Sequence, residues 1–187
     1  MKKLSGLAFL LACLIGGGVH AELPAGWSFG AAKPDAYETG TEAGSSRAGG
    51  KVAFIRIKTT DQGFGTLQQS INAEAYRGKR LHLSALLRSE HAGSAQMWMR
   101  INGSGEHALG FDNMDDRPLK GDRDWQRCDI VLDVPDEAKS IAFGFFISGT
   151  GKVWADGFKL ETVGRDVPTT NKVPPYRDTP ANLDFSE

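Results

Sequence analysis

Residues 95–102, AQMWMRIN, place Ala95, Met97, Met99 and Ile101 at every second position, with Gln96, Trp98, Arg100 and Asn102 between them. A period of two belongs to a strand, because successive side chains leave the backbone on opposite faces. The same rhythm runs through Leu81, Leu83, Ala85 and Leu87, set against Arg80, His82, Ser84 and Leu86. It returns in Ile141, Phe143, Phe145 and Ile147, set against Ala142, Gly144, Phe146 and Ser148. One row of each strand is expected to build a core between two sheets. Sustained helical periods are few, and the 23 glycines and 8 prolines punctuate short apolar runs, which predicts an all-β chain. Strands are expected near 27–30, 36–41, 51–58, 65–71, 79–88, 95–102, 106–111, 125–134, 139–148 and 152–161. Short strands at this spacing favour a two-sheet sandwich or jelly roll. SGTGK (148–152) reads as a Gly-rich hairpin, since a phosphate loop needs its Gly-Lys-Ser/Thr to lead into a helix.

The ends of the chain differ from its middle. MKKLSGLAFLLACLIGGGVHA (1–21) has two lysines, an apolar run and the small residues Val19 and Ala21 before Glu22, the pattern of a cleaved secretory signal. LLAC, ending at Cys13, also resembles the box that precedes a lipid-modified cysteine, so a lipid-anchored form is the alternative to simple export. Residues 22–163 are expected to form the sandwich. After Val163, the prolines and scattered polar residues of GRDVPTTNKVPPYRDTPANLDFSE (164–187) predict a tail or an edge-strand wrap. Periplasmic or secreted localisation follows as the expectation, with no membrane span.

Charge narrows the partners. The chain carries 22 Lys and Arg against 23 Asp and Glu, and loss of Lys2 and Lys3 with the signal makes it more acidic. It lacks the basic footprint that nucleic acid requires. Cys128 would be the one cysteine left, so no internal disulfide is expected; on the row Cys128, Ile130, Leu132, Val134 it reads as a small buried hydrophobe, with a reactive thiol as the alternative.

From residue 49 onward the resemblance to a known family becomes specific. GGKVAFIRIK, GFGTLQQSINAEAYRGKRLHLSALLRS and DWQRCDIVLDVPDEAKSIAFGFFISGTGKVWADGFKLE resemble carbohydrate-binding modules of the family 4/9/22 type. MWMR, GFDNMDDRPLKGDRDW and PANLDF resemble, more narrowly, a bacterial exported domain of uncharacterised function. The resemblance implies a galactose-binding-domain-like jelly roll and a glycan ligand. The opening ELPAGWSFG departs from the usual start of such modules, and something like that start appears at the far end as NLDFSE.

Trp98 is the candidate for function. Enclosing an indole removes about 150–250 Å² from water, worth roughly 4–6 kcal/mol, so a tryptophan on the polar row needs a reason. It is either a stacking platform for a sugar ring, with Gln96, Arg100 and Asn102 beside it, or a packing residue beneath a covering loop or tail. His82, Asp112, Asn113 and Arg117 complete the expected ligand-binding set. The segment FDNMDDRPLKGD (111–122) has three readings: ordinary turn formers with Arg117 pairing a carboxylate, hydroxyl contacts from Asp112, Asn113 and Arg117, or carboxylates holding a structural calcium. Gln69 interrupts the row Leu67, Gln69, Ile71 and is expected to be a buried amide bonded to a neighbouring loop, with ligand contact as the alternative.

Catalytic patterns are scarce. His82, His91 and His107 are dispersed, and a glycosidase pair is suggested only by Glu106 with Asp112 or Asp116. The sequence therefore predicts an exported, non-catalytic binding module for a glycan or similar polyhydroxylated ligand, without a cofactor. The alternatives are a protein-interaction module of the cell envelope and a jelly-roll polysaccharide lyase or hydrolase.

Overall fold

The computed structural model describes residues 23–44, 50–59, 61–171, 179–184 and 186. The signal expected at 1–21, with Cys13 in it, lies outside them. Among the described residues nine strands follow one another: β1 (Ser28–Ala31), β2 (Tyr37–Ala43), β3 (Lys51–Ile57), β4 (Asp61–Asn72), β5 (Arg80–Asn102), β6 (Ala108–Asp112), β7 (Leu119–Asp133), β8 (Ser140–Gly149) and β9 (Lys152–Val163). All of their pairings are antiparallel. Short 3-10 turns at Pro34–Ala36 and Glu74–Tyr76 are the only helical pieces among the described residues. No helix there is long and apolar enough to cross a membrane.

Two expected strands, 79–88 and 95–102, are one strand of 23 residues. Its first part pairs with β9, its second part, from Ser94, pairs with β8 and β6, and β7 follows it from Arg80 across the bend to Ala95. One layer is thus β1-β4-β8-β5-β6 and the other β7-β5-β9-β3-β2, with β5 common to both. The bend falls where His91 adopts φ 50° and the pairing with β7 shifts register. The SGTGK hairpin between β8 and β9 docks on this bend. Thr150 Oγ1 donates to the His91 carbonyl at 2.8 Å, and Gly93 N–H donates to the Thr150 carbonyl at 3.1 Å. A Cβ on Gly93 would come within 2.7 Å of the Ser148 carbonyl, so the close approach requires glycine. A break that looks like a loop in the sequence is a bend in a continuous strand.

The alternating rows close over one core. Leu67, Leu81, Leu83, Leu87, Met97, Met99, Ile101, Ile130, Leu132, Ile141 and Phe145 are fully enclosed. Cys128 is buried as expected, and its thiol is pushed up to about 12, by burial first and by the charge of Asp129 second. It is neutral at physiological pH and no nucleophile. Simple alternation would put Trp154, Asp156 and Phe158 on one face. Gly157, at φ 65°, instead forms a bulge where the pairing of β9 with β5 shifts register. Phe158 is thereby turned inward against Trp27, with centroids 5.0 Å apart, while Trp154 joins Val52 and Phe54 in a small cluster on the outer side. Lys152 caps that cluster, its ammonium 4.1 Å from the Phe54 ring and 2.7 Å from Glu42.

Beyond β9 the chain turns back along the edge of β7. Val131 and Thr170 exchange hydrogen bonds, Thr170 N–H to the Val131 carbonyl at 2.8 Å and Val131 N–H to Thr170 Oγ1 at 3.0 Å. Arg80 holds the turn by donating to the carbonyls of Arg165 and Val167 at 2.8 and 2.6 Å while its other nitrogens grip Asp133. The open edge of β7 is thus covered.

Two carboxylates make the fold sensitive to acid. The hydrogen bond from Arg80 is the main reason Asp133 sits below its ordinary 3.8. For Glu42, burial pulls the pKa upward, but hydrogen bonds from Lys152 and Trp154 outweigh it and hold the group below its ordinary 4.5. A pKa lowered by folding stabilises above the unfolded value and is lost as pH falls through the folded one. Thermal stability is therefore expected to fall with decreasing pH below about 4.5, and Asp133→Asn should flatten that dependence. Melting curves from pH 6 to pH 3 check this; an unchanged slope in the variant would remove Asp133 as a cause.

Candidate functional site

Strand register assembles a groove row by row on the outer face of the first layer. Gln68, Gly144 and Trp98 stand abreast on β4, β8 and β5. One row along come Thr66, Phe146 and Gln96, and on the other side Ser70, Ala142, Arg100 and Phe111. The core residues Leu67, Phe145 and Met97 point the opposite way. A Cβ at Gly144 would lie 2.1 Å from the Leu67 carbonyl, so no side chain fits there. The β4 backbone itself fills that position, so β4 and β8 approach closely between Gln68 and Trp98. Phe64, Thr66, Gln68, Trp98, Phe111, Asn113 and Phe146 line a groove of about 360 Å³. Phe64, 54% exposed, stands at its mouth against Phe146, with centroids 5.6 Å apart.

Trp98 is half-buried, with its ring on the groove. Its Nε1–H donates to Thr66 Oγ1 at 3.0 Å, and that hydroxyl donates to the Phe145 carbonyl at 3.1 Å. The chain fixes the indole and uses up its polar atom, leaving the ring as the contact surface.

The other expected site residues divide. Asn113 lines the groove. Gln96 is only 6% exposed and holds the loop that carries Asn113, donating to the Asn113 carbonyl at 2.8 Å and accepting from Ser94 at 2.6 Å. Arg100 lies one row from Trp98 and donates to the Glu106 carbonyl at 2.7 Å. His82 is carried by the other part of β5 into the second layer, where its Nε2 is 2.6 Å from Asp129 Oδ1. The bend at His91 separates it from the groove.

For Asp112 the expectation of direct hydroxyl contact is corrected. The carboxylate is 0% exposed and is occupied by Arg117 at 2.6 and 3.3 Å and by the Met114 N–H at 2.8 Å. Arg117 also bonds Asp116 at 2.8 Å and the Asp129 carbonyl at 3.0 Å. Burial lowers the Arg117 pKa, but the hydrogen bonds to Asp112 and Asp116 outweigh it, and the guanidinium is held above its usual value. The pair is a clamp that shapes the loop behind Asn113, with Met114 at φ 57° inside it. An enclosed Asp112 also cannot face a substrate as the partner of Glu106, so that carboxylate pair is corrected with it. No group of three or more His, Cys, Asp or Glu side chains placed to hold a metal occurs among the described residues.

Phe64, Thr66, Gln68, Phe111 and Phe146 are missing from the sequence-derived set. The alternation of GFGTLQQS carries the signal for three of them, since Phe64, Thr66 and Gln68 share the row opposite Leu67. Beginning that strand at 65 hides Phe64. Gln69, expected to be buried, is half-buried on the inner row beside Gly26. A second depression of about 460 Å³ lies at the β5 bend among Arg88, Glu90, His91 and Asp122–Asp124, but no aromatic ring lines it, and Arg88 there pairs with Glu90 while His91 Nδ1 lies 3.3 Å from Asp122.

In its antiparallel two-layer fold this chain is structurally similar to carbohydrate-binding modules of families 22, 4 and 16. The CBM22-1 xylan-binding domain of Paenibacillus barcinonensis Xyn10C superposes with a TM-score of 0.56 over 77% of this chain and 90% of the domain, at 10% identity. The enzymatically active domain of bacteriophage CBA120 tailspike protein 4 gives 0.57 over 74% of this chain but only 20% of its own, at 12% identity. At such identities the likeness is one of fold. No family model matches the chain. In sequence it is 36% identical over 167 residues to the uncharacterized HTH-type transcriptional regulator YbfP of Bacillus subtilis (strain 168). That match takes in 87% of this chain, which spans 57% of the regulator's length. The described residues contain no α-helix, so the helix-turn-helix of that name has no counterpart in them.

Proposed function

We propose that this chain is an exported, non-catalytic binding module, periplasmic or secreted, that holds a glycan or similar polyhydroxylated ligand against Trp98. The observation that carries the reading is the ring of Trp98, fixed by Thr66 and lining a groove of about 360 Å³ with Phe64, Phe111 and Phe146. The sugar's C–H face would pack on the indole while the amides of Gln68 and Asn113 orient hydroxyls. The fold's likeness to glycan-binding modules supports it.

One open groove with one indole should bind weakly, with Kd on the order of 10 µM to 1 mM, about −4 to −7 kcal/mol. Titration of intrinsic fluorescence with a broad glycan panel tests this. Quenching or a blue shift that saturates is the expected result, and no response to any glycan at millimolar concentration would remove it.

The second reading is contact with a protein partner of the cell envelope, and Phe64 favours it, as a large apolar side chain 54% exposed. Recovery of one defined partner that Phe64→Asp abolishes, with no glycan response, would favour this reading over the first. The similarity to a transcriptional regulator bears on role: a groove of this kind suits reporting that a ligand is present as well as retaining it.

A further inference from the structure

We propose that the groove selects an uncharged saccharide unit bearing a methyl group, as in a 6-deoxy or an acetylated sugar, over its fully hydroxylated parent. This rests on the reading of the groove as a saccharide site and narrows it.

The inference comes from the hydrogen-bonding capacity the groove has left. Four of its seven lining side chains are aromatic: Phe64, Trp98, Phe111 and Phe146. The Trp98 N–H is taken by Thr66, and the Thr66 hydroxyl is taken by the Phe145 carbonyl. Asn113 Oδ1 already accepts from the Asp115 N–H at 3.3 Å. What remains for a ligand is the Gln68 amide, the Asn113 NH₂, and one lone pair each on Asn113 Oδ1 and on the nearly enclosed Thr66 hydroxyl. Gln68 stands on the row of Trp98, and Asn113 lies on the β6 side, in the loop whose carbonyl Gln96 holds, so the free amide groups sit away from the Phe64 end. Toward Phe64 and Phe146 the groove presents two rings and the Thr66 side chain, 5% exposed, whose hydroxyl is already engaged by Trp98 and the Phe145 carbonyl. A hydroxyl pressed against those rings loses its water without replacement, at a cost of roughly tenfold in affinity. A methyl group there gains contact with both.

Charge and size agree. None of the lining residues is ionisable, so a carboxylate or sulfate would enter without a counter-ion. A volume of about 360 Å³ is near the small end of ligand sites, which run from ~300 to ~1,000 Å³, and suits one or two rings in place of a long chain.

The test is calorimetric titration of the full chain with free sugars matched in configuration: D-fucose against D-galactose, D-rhamnose against D-mannose and N-acetyl-D-glucosamine against D-glucose, with D-glucuronate as the charged probe. The expected result is at least ~5-fold tighter binding of the methyl-bearing member in one or more pairs, with no binding of glucuronate. Phe64→Ala, at an exposed position, should erase that preference while leaving the melting temperature unchanged. Equal or tighter binding of the parent sugars in every pair, or preferred binding of glucuronate, overturns this inference and leaves the groove a saccharide site. Absence of binding by all the probes overturns both together.

Discussion

Arg117→Met is expected to destabilise the fold by about 3–5 kcal/mol, the cost of leaving a buried carboxylate without its partner. Asp112 is fully enclosed, and methionine would fill much of the space of the arginine stem while supplying no charge and no donors. The remaining Met114 N–H satisfies one oxygen and leaves the other bare. For a chain of this size the loss corresponds to roughly 10 °C in melting temperature. Denaturant titration of Arg117→Met, Asp112→Asn and the double variant gives the measurement. The double variant should be more stable than Arg117→Met, because removing both charges abolishes the penalty that removing one creates. If Arg117→Met melts within about 2 °C of the parent, the pair is not the clamp described above.

Trp98→Ala is the substitution expected to cost most in binding. Loss of a stacking ring together with its apolar area is worth roughly 2–3 kcal/mol, or about 30- to 150-fold in affinity, which takes a module of this strength beyond detection. The same change frees the Thr66 hydroxyl, so stability must be followed alongside. Trp98→Phe separates the two effects: it keeps a ring on the groove but cannot donate to Thr66. Binding reduced by about tenfold or less in Trp98→Phe, and lost in Trp98→Ala with both proteins folded, assigns the contact to the ring face. Undiminished binding in a folded Trp98→Ala would place the ligand elsewhere.

The parts of this site that sequence reveals are those set by neighbours along the chain. Alternation alone puts Trp98 on the face away from Met97 and Met99, and the structure has it there. Which residues stand beside it is a matter of register between strands distant in sequence. Gln68 and Gly144 meet Trp98 only because β4 and β8 pair in one particular alignment. His82 fails for a related reason: its two-residue rhythm matches that of Trp98, yet the bend at His91 sends the two parts of β5 into different layers. Asp112 shows a third limit. The composition of DNMDDR is that of an exposed turn, and no local pattern distinguishes the one carboxylate that Arg117 draws inside. At Gly157 a single positive φ reverses the facing of everything after it, which is why Phe158 packs in the core although simple alternation groups it with Trp154.

The length of β5 bears on how the molecule comes apart. Sandwiches whose halves are joined only by loops can shed one half and keep the other. Here a single backbone segment lends hydrogen bonds to both, so peeling β9 and β7 away from its start strips support from the same ribbon that carries Trp98. Melting is therefore expected to be all-or-none, with fluorescence and backbone probes of unfolding giving coincident transitions.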